Sequence, residues 1–523
     1  MLVLVAAAAI GPAARAQQAN APAFAVDEAT IASVHAAFRD GRLTCRALVD
    51  AYLDRIAAYD QRGPALNAIV ITNPAARTEA DALDARFRRG GLTGPLHCVP
   101  VVVKDNFETI GLQSADGSLA LKGFISERDA FQVARIKQAG AIVLAKSNMA
   151  EFAFSPLETV NSLAGTTKNP YALDRVPAGS SGGTAASVAA NFALLGLGSD
   201  TGNSIRGPSS HAALVGIRST MGLTSRAGVI PLSFLADVAG PMARTVSDAA
   251  AVLQVIAGED PQDPMTARVK GRAIPNYRDA LKSDGLKGAR IGVLKQAYER
   301  ANLPVDPDIA AIFAKAVDDM RAAGATIVDD VKVQTPPRSP AAGACRGFKY
   351  DINAYLAERG QRAPAHSLDE IMASPAVASF PASVKQRAQQ AAAAPLGQGP
   401  ESDACKADAA YREAFGAAVT AAMDAATLDA LVYPTWSQPP QLIGATSQQQ
   451  AGDNSQVFSP TAGFPAMTVP MGYSHDNTLP IGMTLLGRAW SEATLIRLAY
   501  SYEQRTHHRR PPASTPPLAA TKR

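Results

Sequence analysis

The sequence has little that would anchor the chain to a membrane, a nucleic acid or a metal. No stretch of about 20 residues is apolar and free of charge, so we expect no transmembrane helix. The 50 basic and 46 acidic side chains nearly balance, and no run of Lys or Arg marks a nucleic-acid-binding surface. The four cysteines form no C-x-x-C pair and have no histidine at metal-ligand spacing, which argues against a zinc site. With 47% hydrophobic and 18% charged residues among 523, the chain is neither disordered nor a coiled coil, and we expect a soluble globular protein.

The N-terminal segment has the pattern of a secretory signal peptide. Leu2 to Ile10 form an apolar run, and Ala14-Arg15-Ala16 give the small-x-small pattern of a signal-peptidase site. No Lys or Arg follows Met1, so the positively charged part of such a signal is incomplete. We expect residues 1–16 to be removed on export to the bacterial periplasm or the medium, with Gln17 as the mature start.

Export would also decide the state of the cysteines. Cys345 and Cys405 fall in one irregular segment, and in an oxidising compartment a disulfide between them would stabilise that segment. Two unpaired thiols are the alternative. Cys45, in a helical pattern, and Cys98, in a strand pattern, are expected to be buried free thiols.

Strand and helix patterns alternate along the chain, which is typical of an α/β fold. Short β-branched runs at 99–103 and 141–145 enclose a helical pattern at 130–138, and the same alternation returns at 290–329. Between about 335 and 425 the pattern loosens into Ala-, Pro- and Gln-rich helical stretches. We therefore predict one domain over residues 17–515, a sheet covered by helices with a helical insertion at 335–425, and a tail at 516–523.

Residue types that support catalysis are concentrated between positions 100 and 245. An apolar strand pattern ends at Lys104, where partial burial would favour the neutral amine and so a general base. The run Gly179-Ser180-Ser181-Gly182-Gly183 allows the backbone to approach a ligand closely. The run Gly198-Ser199-Asp200-Thr201-Gly202-Asn203-Ser204 places a serine in a turn whose successive amides could hold an oxyanion. Each stretch alone is also compatible with an ordinary loop.

Together these three stretches resemble the amidase signature family of serine hydrolases. In that family a lysine, a serine in a cis peptide and a nucleophilic serine form a Ser-Ser-Lys relay. The resemblance implies that Lys104 is the base, Ser180 the bridging serine and Ser204 the nucleophile, with separations of 76 and 24 residues that fit the family pattern. It also implies the amidase signature fold, an α/β fold with a central mixed β-sheet covered on both faces by helices, and a reaction without cofactor or metal. The resemblance extends through further segments: 146–152, 237–248, 463–470 and 480–503.

The implied reaction converts a carboxylic amide to an acid and an amine or ammonia through an acyl-enzyme on Ser204. The Ser204 hydroxyl would lose its proton through Ser180 to Lys104 as it attacks. The oxyanion would be held by backbone N–H groups of the loop formed by Thr201, Gly202, Asn203 and Ser204. Supporting roles are expected for Asp200 and Arg206, which would hold this loop, and for Ser181, as a hydrogen-bonding neighbour of Lys104. Ester or carbamate cleavage as a side activity is left open.

Asn203 departs from the family, which usually has glycine at the position before the nucleophile. Asparagine tolerates left-handed backbone dihedrals better than other non-glycine residues, so the turn can persist. Its side chain would either narrow the site or add a polar contact to the substrate.

Two other functions use the same residues. The run 179–183 also satisfies G-x-S-x-G, the nucleophile elbow of α/β-hydrolases, with Ser181 as nucleophile. That motif should follow a strand, whereas residues 169–178 contain two prolines, and neither His211 nor His475 is a compelling triad partner. Some family members belong to amidotransferases and have a cytosolic tRNA-linked partner, which the apparent export signal argues against.

The substrate is the least determined part of the prediction. By resemblance, the candidate pocket residues are Phe152, Ala153, Phe154, Trp436, Phe458 and Phe464. Apolar and aromatic residues suit an aryl, alkyl or peptide-type amide better than a small diacid amide. Any one of these aromatic residues can equally be part of the core. We expect a small-molecule amide as partner, and neither a nucleic acid nor a membrane.

Overall fold

The structure is a computed structural model that describes residues 24–301, 303–345, 347–394, 399–445 and 452–518. The signal-peptide prediction for residues 1–16 lies outside the described residues. The alternating pattern of the sequence is borne out by one mixed sheet of eleven strands, in the order β1-β3-β2-β4-β6-β5-β10-β11-β9-β7-β8. The strands are β1 Ile69–Thr72, β2 Pro100–Lys104, β3 Ile142–Ser147, β4 Leu195–Asp200, β5 Val215–Arg218, β6 Val238–Ala243, β7 Arg290–Val293, β8 Thr326–Val328, β9 Ala430–Pro434, β10 Ala466–Ser474 and β11 Leu479–Leu486.

Helices cover this sheet, and among the described residues no helix is both long and apolar enough to cross a bilayer. The α-helices are α1 Ile31–Arg39, α2 Cys45–Tyr59, α3 Ala76–Gly90, α4 Phe131–Gln138, α5 Gly182–Ala189, α6 Arg206–His211, α7 Val246–Ile256, α8 Pro307–Ala322, α9 Pro340–Gly343, α10 Phe348–Arg359, α11 Leu368–Ala373, α12 Ala382–Ala392, α13 Asp403–Ala425, α14 Phe458–Ala462 and α15 Glu492–Thr506. Short 3₁₀ turns occur at Leu119–Leu121, Glu151–Ala153, Pro264–Val269, Tyr277–Ala280, Lys295–Ala297, Gly360–Arg362 and Pro375–Ser379.

The centre of the sheet is the most deeply buried part of the fold. Every residue of β2, β3, β4 and β6 is buried, which requires cover on both faces. β2 runs parallel to both β3 and β4, so the carboxyl ends of these strands lie side by side. This arrangement brings the end of β2, at Lys104, next to the loop that follows β4.

The predicted insertion is helical in the described residues between 335 and 425, which form α9 to α13 and no strand. Its apolar side chains pack with Phe152 and Phe154 in a hydrophobic cluster of their own. Glu108, four residues beyond Lys104, anchors it: its carboxylate accepts from Tyr355 Oη at 2.9 Å and from Arg359 Nε at 2.7 Å. The insertion is therefore fixed to the segment that follows the candidate base.

The cysteines form two disulfides, Cys345–Cys405 as predicted and also Cys45–Cys98. The prediction of free thiols at Cys45 and Cys98 was wrong because α2 packs beside the segment that enters β2. This packing brings two Cα atoms 53 residues apart in sequence to within 5.6 Å. Local helix and strand patterns carry no signal for such a contact.

Candidate active site

Lys104 is the last residue of β2 and is completely buried. Its Nζ donates to Ser180 Oγ at 2.7 Å and to Ser199 Oγ at 2.8 Å. Burial lowers the pKa of Lys104 from 10.5 to about 7, although nearby carboxylates, above all that of Asp116, raise it. A substantial fraction of the amine is therefore neutral near pH 7 and able to accept a proton.

Ser180 lies in the glycine-rich loop that leads into α5. The peptide bond between Gly179 and Ser180 is cis. A Cβ on Gly179 would lie 2.4 Å from the carbonyl oxygen of Glu158, and one on Gly183 would lie 2.2 Å from that of Asn148. Only glycine permits these approaches, so the glycines let the loop sit deep enough for Ser180 to reach Lys104.

Ser199 is a site residue that the sequence analysis missed. Its Oγ accepts from Lys104 Nζ and from Asn106 Nδ2, the latter at 3.0 Å. The structure thus gives Ser199 the position beside Lys104 that we predicted for Ser181. Leu197 of β4 pairs with Val103 of β2, which brings Ser199, two residues further on, to the end of β2. The sequence carries no signal for this pairing between two strands.

Ser181 is fully buried, and its hydroxyl donates to the Ser199 carbonyl oxygen at 3.2 Å. The segment 169–178 before it forms no strand, only isolated bridges. The nucleophile-elbow alternative is therefore wrong: it needs a strand leading to an exposed serine hydroxyl.

Ser204 lies in the loop between β4 and α6 and lines a cavity of about 530 Å³. The Ser204 carbonyl accepts from the backbone N–H of Ser181 at 3.3 Å, which joins the two serine loops. In the described part of the chain, the backbone N–H groups of the four predicted donors, Thr201, Gly202, Asn203 and Ser204, donate to no protein acceptor. Adjacent free donors beside a serine hydroxyl are the arrangement that an oxyanion requires.

A buried ion-pair network holds this loop. Arg206 Nε lies 3.0 Å from Asp200 Oδ2, and Arg218 Nη1 lies 3.2 Å from Asp200 Oδ1; all three side chains are fully buried. Arg206 Nη2 also donates to the Gly202 carbonyl at 2.6 Å. Burial alone would raise the pKa of Asp200, but the two guanidiniums outweigh it and lower that pKa to about 2. Asp200 and Arg206 were predicted; Arg218, from β5, was not.

The Asn203 side chain is fully buried against the first turn of α6. A Cβ on Gly207 would lie only 2.0 Å from Asn203 Nδ2, so the amide occupies space that exists because residue 207 is glycine. Asn203 is not among the residues with positive φ, so a left-handed backbone is not how the turn accommodates it. Asparagine is tolerated here because Gly207 makes room for its side chain.

Thr201 connects the loop to a second wall of the cavity. Its Oγ1 donates to Asp237 Oδ1 at 2.5 Å, and Asp237 Oδ2 accepts the backbone N–H groups of Leu232 and Ser233, each at 2.9 Å. Leu232 and Ser233 line the cavity. Asp237 therefore links residues 201–204, which we call the oxyanion loop, to the cavity wall.

Of the predicted pocket residues, Ala153 and Phe154 line the cavity. The other four are buried elsewhere in the fold: Phe152, Trp436, Phe458 and Phe464. Trp436 shows the physical reason, since its ring stacks on His211 at 4.7 Å and its Nε1 donates to the Gly207 carbonyl at 3.1 Å. These four aromatic residues pack in the interior around the site, and the sequence alone did not distinguish them from residues that line the cavity.

The insertion supplies much of the remaining lining, which the sequence did not reveal. Its contribution comprises Arg338, Arg387, Asp408, Tyr411 and Arg412. A neighbouring cavity of about 500 Å³ shares Phe154 and Arg387 with the first and is lined in part by Cys345. The disulfide between Cys345 and Cys405 thus links two parts of the insertion that border the site.

One group among the described residues has metal-ligand spacing: atoms of Asp306, Asp308 and His475 lie within 4.8 Å of one another. Both carboxylates are engaged by the backbone, since Asp306 caps α8 and Asp308 accepts from the His475 N–H at 2.9 Å. None of the three lines the Ser204 cavity. The groups that accept hydrogen bonds from Lys104 are the hydroxyls of Ser180 and Ser199, which suits covalent acyl transfer.

Comparison with known proteins gives consistent matches. A family model described as Amidase matches residues 47–496. The A subunit of the glutamyl-tRNA(Gln) amidotransferase of Moorella thermoacetica is 36% identical over 482 residues, which cover 88% of this chain and 93% of that protein. A probable amidase of Arabidopsis thaliana is 32% identical over 508 residues, covering 94% of this chain and 92% of that protein. Among solved structures, the native peptide amidase of Stenotrophomonas maltophilia superposes with a TM-score of 0.83 at 38% identity, covering 93% of this chain and 98% of that one.

Proposed function

We propose that this chain, which belongs to the amidase family and is an amide-hydrolysing enzyme with a serine nucleophile, acts on peptide-type amides. In this proposal Ser204 is the nucleophile, Ser180 relays the proton and Lys104 is the base. The observation that carries the assignment of residues is the 2.7 Å contact between the buried Lys104 amine and Ser180, in a loop bonded to that of Ser204. Burial of the amine, which lowers its pKa, supports its role as the base.

The reaction follows from what each group can do. Ser204 Oγ attacks the amide carbonyl carbon and passes its proton to Ser180, whose own proton moves to neutral Lys104. The free N–H groups of Gly202, Asn203 and Ser204 stabilise the oxyanion. When the carbon–nitrogen bond breaks, the relay returns the proton to the leaving amine and leaves an ester on Ser204. Water then attacks this ester with the same relay as base, which releases the acid and restores the enzyme.

A peptide-type substrate is supported by the size and lining of the site. The cavity of about 530 Å³ continues into one of about 500 Å³ through shared residues, which is more room than a small diacid amide requires. Similarity to the peptide amidase of Stenotrophomonas maltophilia over 93% of this chain supports the same substrate class.

The test combines a substrate panel with active-site labelling. We expect release of ammonia from N-acetyl peptide amides, and modification of Ser204 by a fluorophosphonate probe, located by peptide mass mapping. Ser204→Ala should abolish labelling and lower kcat by about 10⁴-fold or more while the protein stays folded. Ser181→Ala is the matched control and should still be labelled. Labelling of Ser181, or turnover by Ser204→Ala at the parent rate, would overturn the assignment.

A second candidate function is the glutaminase half-reaction of an amidotransferase, which the 36% identity to the Moorella protein favours. It predicts ammonia release from free glutamine and little from peptide amides. Comparing kcat/KM on glutamine and on an N-acetyl tripeptide amide separates the two candidates.

We also propose that the protein is exported. The two disulfides support this location, because cytosolic thiols are kept reduced. The apolar N-terminal run and the small-x-small pattern before Gln17 support it independently.

A further inference from the structure

Arg387 is an arginine of the site whose charge no carboxylate of the described residues neutralises. It lies on α12 of the insertion and borders three neighbouring cavities, of about 530, 500 and 230 Å³, where its side chain is open to solvent. Its guanidinium lies 4.8 Å from the ring centre of Phe154, and its Nη1 donates to the Phe154 carbonyl. Among the described residues no carboxylate forms an ion pair with it, and desolvation by the cavity walls alone lowers its pKa.

The other charged residues around these cavities are Arg338, Arg412, Asp408 and Glu158. Arg338 and Arg412 both pair with Asp408, each at 2.6 Å, and Asp408 is buried. Glu158 borders the smallest cavity, but its pKa is raised by burial with no contribution from Arg387. Three arginines and one aspartate line the cavity that contains Ser204, so its formal charge is +2. Arg338 and Arg412 share one carboxylate, whereas Arg387 has no carboxylate partner among the described residues.

The geometry of Arg387 suits a carboxylate. A guanidinium has five N–H donors in a planar fork, and only one hydrogen bond of Arg387 is made within the described residues. The contacts with the ring and the carbonyl of Phe154 hold the guanidinium beside the cavity, and its remaining N–H groups can meet a bidentate acceptor. Ser204 and Arg387 border the same cavity, so one substrate can reach both.

We propose that Arg387 binds a carboxylate of the substrate, so that the enzyme prefers peptide amides with an acidic side chain. This inference rests on the proposed function and specifies its substrate class. The leaving group of a C-terminal peptide amide is ammonia, which carries no carboxylate. The amidated end also has no free α-carboxylate. In a C-terminal peptide amide, the substrate we propose, the acidic group is therefore an Asp or Glu side chain of the acyl portion.

The test uses N-acetyl tripeptide amides in which Glu or Gln occupies each position in turn of an otherwise neutral peptide. Glutamine has nearly the size and shape of glutamate without its charge. At one position, kcat/KM should be about tenfold higher for Glu than for Gln, the gain of a charge-assisted bidentate contact. This ratio should fall toward one as NaCl is raised to about 1 M, because salt screens an accessible ion pair.

Arg387→Gln should bring the Glu-to-Gln ratio to about one at that position. The readout is the ratio, which a general loss of activity does not change. Lys385→Gln is the matched control, since Lys385 is an exposed cation on the same helix that borders none of the three cavities, and it should keep the parent ratio.

Hydrolysis of neutral peptide amides with no Glu preference at any position would overturn this inference and leave the proposed function standing. An equal fall of the ratio in Arg387→Gln and Lys385→Gln would also overturn it. Failure to hydrolyse any peptide amide would overturn both proposals.

Discussion

At the scale of single residues, Lys104 has to be both a lysine and an unprotonated general base, which is not possible for an exposed lysine near neutral pH. A general base must be unprotonated near neutral pH, yet an exposed lysine is protonated up to about pH 10. Complete burial at the end of β2 resolves the conflict by penalising the charged form. The hydroxyls of Ser180 and Ser199 give the amine polar partners without adding a charge.

The lowered pKa of Lys104 predicts the pH dependence of the reaction. Since only the neutral amine accepts a proton, kcat/KM should rise with pH through an inflection near 7 and level off above it. Below the inflection it should fall about tenfold per pH unit. Steady-state rates on an uncharged peptide amide, measured from about two pH units below the inflection to two above it, would test this.

Asp116 is the group most able to shift this inflection. Its carboxyl is buried, neither oxygen has a hydrogen-bond partner among the described residues, and burial raises its pKa well above the usual range. Its ionised form raises the pKa of Lys104, so a change in the charge of Asp116 would move the inflection. Lys104→Met should remove most of the activity and also the rise of kcat/KM with pH. If kcat/KM of this variant still rises with pH as in the parent, a group other than Lys104 causes the rise.

Sequence motifs pointed to Lys104, Ser180 and Ser204, which lie in local glycine-rich or strand-end patterns and which the structure brings into neighbouring positions. They were not sufficient for Arg218 or Arg387. Arg218 contacts Asp200 and Arg387 contacts Phe154 only through the fold, and no motif beside either arginine marks the contact. Phe154 and Trp436 show the same limit: both are aromatic residues that we predicted for the pocket, yet Phe154 lines the cavity and Trp436 packs in the interior.

At the scale of elements, the oxyanion loop and α6 behave as one packed unit. The carbonyl of Asn203 accepts from the Gly207 N–H at 2.8 Å, and the Asn203 side chain fills the space above the same glycine. The free N–H groups of the loop are thus held in place by the helix that follows them. A substitution of Asn203 or of Gly207 should therefore displace the other residue.

Gly207→Ala should therefore impair catalysis without touching the substrate. The new Cβ would lie 2.0 Å from Asn203 Nδ2, so the side chain and the loop must shift. A displacement of about 1 Å in catalytic groups costs on the order of 10²-fold in rate, and we expect a fall of that size in kcat. The double variant Asn203→Gly with Gly207→Ala removes the overlap and should recover most of the loss in a double-mutant cycle.

The contrary outcome is equally clear. If the double variant is no more active than Gly207→Ala alone, the two positions are not coupled through this contact. Circular dichroism and thermal unfolding of each variant would show that the loss of rate is not a loss of fold.

The positions of individual elements followed from the sequence more closely than their arrangement. The β-branched run 99–103 became β2 at Pro100–Lys104, and the helical pattern 130–138 became α4 at Phe131–Gln138. Hydrophobic periodicity and turn residues depend on neighbouring positions in the chain, so both could be recognised in the sequence. The strand order could not be derived in the same way, because β10 inserts between β5 and β11 by pairing with a strand that lies far earlier in the chain.

At the scale of the whole molecule, both disulfides join segments that border the catalytic machinery. Cys98 precedes β2, which ends at Lys104, and Cys405 lies on α13, which contributes Tyr411 and Arg412 to the cavity. The closed segments span 53 and 60 residues. For loops of this length the entropy removed from the unfolded chain corresponds to roughly 4 kcal/mol per bond, and measured values are typically about 2–4 kcal/mol.

The two bonds should differ in their effect on catalysis although their effects on stability are similar. Cys45→Ser with Cys98→Ser should lower the melting temperature with KM close to the parent value, because neither cysteine lines the cavity. Cys345→Ser with Cys405→Ser should lower the melting temperature to a similar extent. This double variant should also raise KM, because Cys345 and residues of α13 border the site. Thermal unfolding with and without a reductant, beside steady-state kinetics, measures both effects.

The same bonds provide the test of export. Expressed in a bacterium with residues 1–23 intact, the protein should appear in the periplasmic fraction with Gln17 at its N-terminus and with no thiol titratable after denaturation. A reductant should lower its melting temperature, whereas a variant with all four cysteines replaced by serine should not respond. Cytosolic protein with four free thiols and the parent melting temperature would contradict both the location and the contribution of the disulfides, because reduced cysteines cannot restrict the unfolded chain.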